Sequence, residues 1–131
     1  MMMRVIFLSA LAQVALQSAD SSIEGRWLVD RDATVSISFA PGWSRIEGNR
    51  PLYESLSDMR FVFTADEVRF EVGERASSDP YRVIGSSSDK VVLEVGDDVG
   101  DKRFKIVEIF DDKIIVHDHQ LMRLVLVRES P

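Results

Sequence analysis

From Arg26 onward, apolar and polar residues alternate with a period of two, and clusters of turn-forming residues interrupt the alternation repeatedly. Side chains two apart on a strand share a face, so the pattern is that of short strands with one dry and one wet side. The cleanest example is Glu67–Val72, where Val68, Phe70 and Val72 alternate with Glu67, Arg69 and Glu71. Before it, Met59, Phe61 and Phe63 alternate with Arg60 and Val62, and "TADE" turns the chain. "RWLVD" sets Trp27 and Val29 on one face, and "TVSISF" sets Val35, Ile37 and Phe39 against Thr34, Ser36 and Ser38, which predicts a second strand there. Tyr81–Ile84, "VVLEV", "KRFKIVEIF", "KIIVH" and "LMRLVLVRE" continue the series, with "GERASSDP", "GSSSDK" and "GDDVGD" as its connections. In "KRFKIVEIF" the inward set reads as Phe104 and Ile106, then Val107 and Ile109, and that change of parity predicts a β-bulge. Residues 40–58 are the least strand-like part. Pro51 there suits the first turn of a short helix, with Leu52, Leu56 and Met59 on one side, or the segment is a long crossing loop.

Eight or nine successive hairpin strands would leave exposed edges in an open sheet, and closure into a ring removes them. The expected fold is therefore all-β, an up-and-down antiparallel β-barrel of about eight strands. A two-sheet sandwich is the alternative, although its Greek-key connections usually need longer crossings than these.

The first residues do not share the pattern. "MMMRVIFLSALAQVALQSAD" has one cation, Arg4, an apolar centre from Val5 to Leu16, and the small residues Ser18 and Ala19 before Asp20. That order predicts a secretory signal peptide over residues 1–19, and a secreted or periplasmic protein. The apolar stretch is too short to span a bilayer, and no second apolar run follows. Ser9, Gln13 and Gln17 recur every four residues, so an amphipathic leader helix packed on the body is the other reading.

Composition excludes several functions. The 131 residues carry a formal charge of −6. An acidic body with scattered Lys and Arg repels phosphate backbones, so nucleic-acid binding is not expected. Cysteine is absent, which removes disulfides, thiolate catalysis and zinc-finger chemistry.

A barrel with an apolar interior needs a closed end. Trp27, facing inward on the first strand, is the largest apolar plug available, and Gly25 lets the backbone curl beneath the strands. Arg128 shares parity with Met122, Leu124 and Leu126, so it would lie across the indole if the first and last strands meet. Gly25-Arg26-Trp27 opening the first strand, the meander, and Arg128 closing the last one resemble the lipocalin and fatty-acid-binding (calycin) pattern. Over residues 23–128 the chain looks most like the short lipocalin-like domains of secreted bacterial proteins. It departs from full-length lipocalins in lacking the helix after the barrel and a second motif before the later strands. A chain of 131 residues is expected to form one domain, and a monomer is expected.

The inward set Phe61, Phe63, Phe70, Tyr81, Leu93 and Phe104 would line an apolar pocket for a small apolar ligand if the barrel is hollow, with Tyr81 as a polar handle. If it is filled, the same residues are its core. His117 and His119 lie two apart, as a metal site would need, but Ile114 and Val116 have the opposite parity and turn the histidines outward. "GDDVGD" lacks the spacing of a calcium loop, and "GSSSD" lacks a nucleophile elbow. No metal, cofactor or catalytic residue is expected, and the function expected is binding. The alternative is a solid scaffold that docks another envelope protein through residues 40–58, where Trp43 and Tyr53 would be the exposed anchors.

Overall fold

In the computed structural model, which describes residues 23–96, 102–117 and 122–129, eight antiparallel strands pair in chain order and the eighth returns to the first. They are β1 (Gly25–Val29), β2 (Met59–Phe63), β3 (Glu67–Val72), β4 (Arg75–Ser86), β5 (Lys90–Val95), β6 (Arg103–Ile109), β7 (Lys113–His117) and β8 (Arg123–Arg128). Two short helices, α1 (Arg31–Ser38) and α2 (Arg50–Leu56), lie between β1 and β2, with two 3₁₀ turns separating them. The predicted closed barrel is therefore present, and Pro51 does sit in the first turn of a helix. The signal peptide expected over residues 1–19, and the leader helix that is the other reading of it, fall in the region 1–22, outside the described residues. Among the described residues no helix is long and apolar enough to cross a membrane.

Alternation on the strands builds the core. Val91, Leu93, Val107, Ile114, Val116 and Leu126 point inward and are all but fully buried. Each such side chain contributes about 1.5–3 kcal/mol by leaving water. Outward positions on β1, β2 and β3, with Glu129 just past the end of β8, carry a chain of ion pairs. Glu129 joins Arg26 (3.0 Å) and Arg60 (3.0 Å), and Glu71 joins Arg60 (3.4 Å) and Arg69 (2.9 Å). The hydrogen bond from Arg26 holds the Glu129 carboxyl below its usual range, assisted by the charge of Arg60.

The plugged end follows from three residues. Trp27 is 2% exposed, and its indole N–H donates to the carbonyl of Ile23 at 2.8 Å. Trp27 pairs in register with Arg128, whose guanidinium carbon lies 4.3 Å from the indole centroid. Arg128 Nη1 also donates to the carbonyl of Glu24 at 3.0 Å. Gly25 has φ +131°, and a Cβ there would stand 2.7 Å from that same Nη1. Glycine thus provides both the backbone geometry and the space the guanidinium occupies.

The opposite end, where β1 leaves for the helices and β3 turns into β4, departs from the sequence reading in three places. First, "TVSISF" is helical. Asp30 caps α1 by accepting from the Ala33 N–H at 3.1 Å, and Phe39 returns to extended backbone. Val, Ile, Thr and Ser are weak helix formers, so tertiary bonds decide the outcome. Strand β1 pairs with β8 only from Trp27 to Val29, opposite Arg128 to Leu126. Beyond that point α1 takes over the edge of β8. Asp30 N–H donates to the Val125 carbonyl (2.8 Å), and Val125 N–H donates to Thr34 Oγ1 (2.9 Å). One helical turn on, Ser38 Oγ accepts from Arg123 N–H and donates to the Arg123 carbonyl, both at 3.0 Å. Two hydroxyls on one helix face therefore stand in for a strand, and this seam leaves Thr34 and Val125 buried.

Second, "GERASSDP" is not a connection. Gly73 and Glu74 make a two-residue turn, with Gly73 at φ +58°, and Arg75–Pro80 pairs with β3 as the first half of a twelve-residue strand. Third, β6 keeps one parity throughout. Arg103, Lys105, Val107 and Ile109 form its inward row, so Phe104 and Ile106 point outward and are 60% and 44% exposed. The register shift lies in β4, between Val83 and Gly85, where Gly85 sits opposite Val92.

Candidate functional site

The barrel is not packed solid. A cavity of about 350 Å³ lies inside it, between the plugged end and the end that carries α1 and α2. Its inner walls are Phe61, Phe63, Phe70, Leu93, Val95 and Leu124, with Met59 and Met122 nearer the helical end. The aromatic part is one connected cluster. Phe61 and Phe70 are cross-strand partners with ring centroids 4.9 Å apart, and Phe63 meets Tyr81 edge-on at 5.8 Å. Each such contact favours these ring positions by about 0.5–1.5 kcal/mol beyond the area it buries.

Four of the six predicted lining residues, Phe61, Phe63, Phe70 and Leu93, border this cavity. Tyr81 does not. It is buried beside Phe63, and its hydroxyl donates to the carbonyl of Thr64, so its polar atom serves the β2–β3 turn. Phe104 is on the outer surface, because the inward row of β6 begins at Arg103 rather than Phe104.

That correction uncovers the polar part of the site. With Phe104 turned out, Arg103 and Lys105 face the cavity from β6, and the strand half misread as a loop contributes Ser77 and Asp79 from β4. Arg103 Nη2 lies 3.1 Å from Asp79 Oδ2, and both side chains are 43% exposed, which places the pair where the cavity meets solvent. The sequence signal was available: counting back in twos from Val107 gives Lys105 and Arg103. The apolar Phe104 and Ile106 mask that signal, because they suggest the opposite parity for the first half of β6.

The remaining candidates are unchanged or outside the described residues. His117 points outward, and its Nε2 lies 2.5 Å from Glu108 Oε1. His119 and most of "GDDVGD" are not described. Among the described residues no three His, Asp or Glu side chains gather as a metal site would require. Trp43 stacks on Phe39 at 4.0 Å, and Tyr53 donates to Asp32 Oδ1 at 3.0 Å beneath the guanidinium of Arg31. Both are half-buried by their own neighbours rather than presented as anchors. On β5, Glu94 is an outward carboxylate held below its usual range by the hydrogen bond from Arg82, with Lys102 adding to it. It faces away from the cavity.

Compared with known proteins, the chain matches no family model, no curated sequence and no solved structure.

Proposed function

We propose that this protein is a lipocalin-like binding module that takes a small, mostly apolar molecule into its barrel. The observation that carries the reading is the cavity itself: about 350 Å³ of space walled by Phe, Leu, Val and Met side chains, in a barrel whose other end is stoppered by Trp27. Ligand sites in proteins start at about this size and are apolar with a few polar groups. At roughly 30 Å³ per heavy atom the space accommodates about a dozen of them. Kinship with lipocalin-type barrels is supported by Gly25 and Trp27 opening β1 and by Arg128 lying over the indole. A secreted or periplasmic setting goes with the reading, on the strength of the leader-like residues 1–19.

The test is uptake of a neutral solvatochromic dye small enough for the cavity, 1-naphthylamine, by the full chain. A blue-shifted, saturable signal is expected. Leu93→Trp fills the cavity from β5 and should lower the dye's affinity at least tenfold while leaving the unfolding transition cooperative. Saturable uptake that Leu93→Trp leaves untouched would put the dye elsewhere and reject the reading. The alternative, a solid docking scaffold, has less support, since Trp43 and Tyr53 are engaged within the helical segment.

A further inference from the structure

Resting on the reading of the cavity as a ligand site, we infer that Met59 and Met122 form an oxidation site at its helical end. Peroxide converts both thioethers to sulfoxides there, and the barrel loses affinity for apolar molecules. Cysteine is absent from the chain, and after the methionines at positions 1–3 only Met59 and Met122 contain sulfur. They lie far apart in sequence, yet both border the cavity. Strand direction brings them to one end. β2 and β8 flank β1 and run antiparallel to it, so both begin at the end away from Trp27. Met59 is the first residue of β2, and Met122 immediately precedes β8. Both pack on the core cluster but stay half-buried, whereas Phe61 and Leu124, two residues further along the same strands, are buried.

The chemistry is confined to that end. The deeper walls are Phe, Leu and Val, hydrocarbon side chains that peroxide does not attack. Arg103 and Asp79 border the same cavity and are each 43% exposed, so water and small polar reactants reach its rim. In the reaction the O–O bond of hydrogen peroxide breaks. One oxygen bonds to the thioether sulfur, which gives up two electrons, and the other leaves as water. A flexible apolar side chain thereby becomes a polar one with a strong acceptor oxygen. In the empty barrel water satisfies that oxygen, because both methionines are already half-exposed. A seated apolar molecule displaces the water and leaves the oxygen facing hydrocarbon, which is costly. Oxidation therefore weighs on the bound state far more than on the fold.

The experiment treats the full chain with hydrogen peroxide and measures 1-naphthylamine affinity before and after. Peptide mass mapping follows each methionine separately, so oxygen gained at positions 1–3 is not confused with the site. Met59 and Met122 are each expected to gain one oxygen, more slowly when the dye is saturating. Dye affinity should fall about tenfold in step with them, the scale of one buried polar group left unpaired. Methionine sulfoxide reductases with dithiothreitol should restore it. The double variant Met59→Leu, Met122→Leu, which conserves volume, should keep its own affinity through the same treatment. A urea transition checks that the oxidised protein still unfolds cooperatively; if it does not, the sulfoxides disrupt the barrel and the oxidation site is refuted. It is also refuted if both thioethers survive peroxide that oxidises free methionine, if sulfoxides form and affinity holds, if dye gives no protection, or if the double variant loses as much as the parent. In each of those cases uptake by the untreated protein leaves the cavity reading standing. If the untreated protein takes up no dye, both fall.

Discussion

The seam between α1 and β8 makes a sharp test, because a single buried hydroxyl serves one identified backbone N–H. Thr34 is fully buried, and its Oγ1 accepts from Val125 N–H at 2.9 Å. Thr34→Val keeps the branched shape and nearly the same helix propensity but replaces the acceptor by a methyl. The Val125 N–H then lies in a dry seam with nothing to receive it, which costs about 1–3 kcal/mol. Thr34→Ser is the matched control. It keeps the acceptor and gives up one buried methyl, worth about 0.8 kcal/mol. With a urea slope of about 1–3 kcal/mol/M for a domain of this size, a loss near 2 kcal/mol moves the urea midpoint of Thr34→Val down by about 1 M. The combined fluorescence of Trp27 and Trp43 follows the transition. Amide hydrogen exchange supplies the local readout: Val125 should exchange much faster in Thr34→Val than in Thr34→Ser, while Leu93 and Val107 in the opposite wall change only by the shift in global stability. If valine and serine at position 34 cost the same, or Val125 keeps its protection in the valine variant, the hydroxyl is not what closes the barrel there.

Two further outcomes follow from the plugged end and the outer ion pairs. In a Trp43→Phe background, which leaves Trp27 as the single tryptophan, Gly25→Ala forces a side chain into φ +131° and onto Arg128 Nη1, so it should cost about 1–3 kcal/mol and change the emission as the guanidinium leaves the indole; an unchanged emission with unchanged stability refutes the stopper geometry. Glu129 is held below its usual range by Arg26, so its stabilising effect is complete above the ordinary glutamate value, about 4.3, and disappears as pH falls through the lowered one. Glu129→Gln should therefore lower the urea midpoint slightly at pH 7 and by less as pH falls below the ordinary glutamate range, and a loss that does not change with pH counts against the pairing.

Much of this architecture can be read in the chain, and the reason is local. Along Met59–Phe63, Glu67–Val72, Lys90–Val95 and Lys113–His117 one face meets the core and the other meets water, so apolar residues recur every second position and the strand, its parity and its neighbours follow. Trp27 and Arg128 are legible for the same reason: parity on the first and last strands puts them face to face, and they are register partners. Phe61, Phe63, Phe70 and Leu93 take the inward parity of their strands, but whether their side chains meet or leave a space depends on barrel radius and rotamers, which period alone does not encode.

The three misreadings have a common location, and that location carries meaning. The helical "TVSISF", the extended "RASSDP" and the inward Arg103 and Lys105 all belong to the end of the barrel away from Trp27. Alternation fails there for a physical reason. At the mouth of a hollow barrel the inward face is wet as well, so Ser77, Asp79, Arg103 and Lys105 can occupy positions that deeper in the barrel must be Phe, Leu or Val. Conversely the outer face tolerates Phe104 and Ile106, which gave β6 a false inward row. At the seam, Thr34 and Ser38 satisfy the β8 edge through side-chain oxygens, so the segment needs no strand conformation although its residues favour one. A barrel sealed and filled at both ends would have kept its period throughout. Where the period breaks, the inward face meets solvent as well as core, and the pair it sets there, Arg103 and Asp79, stays 43% exposed on each side.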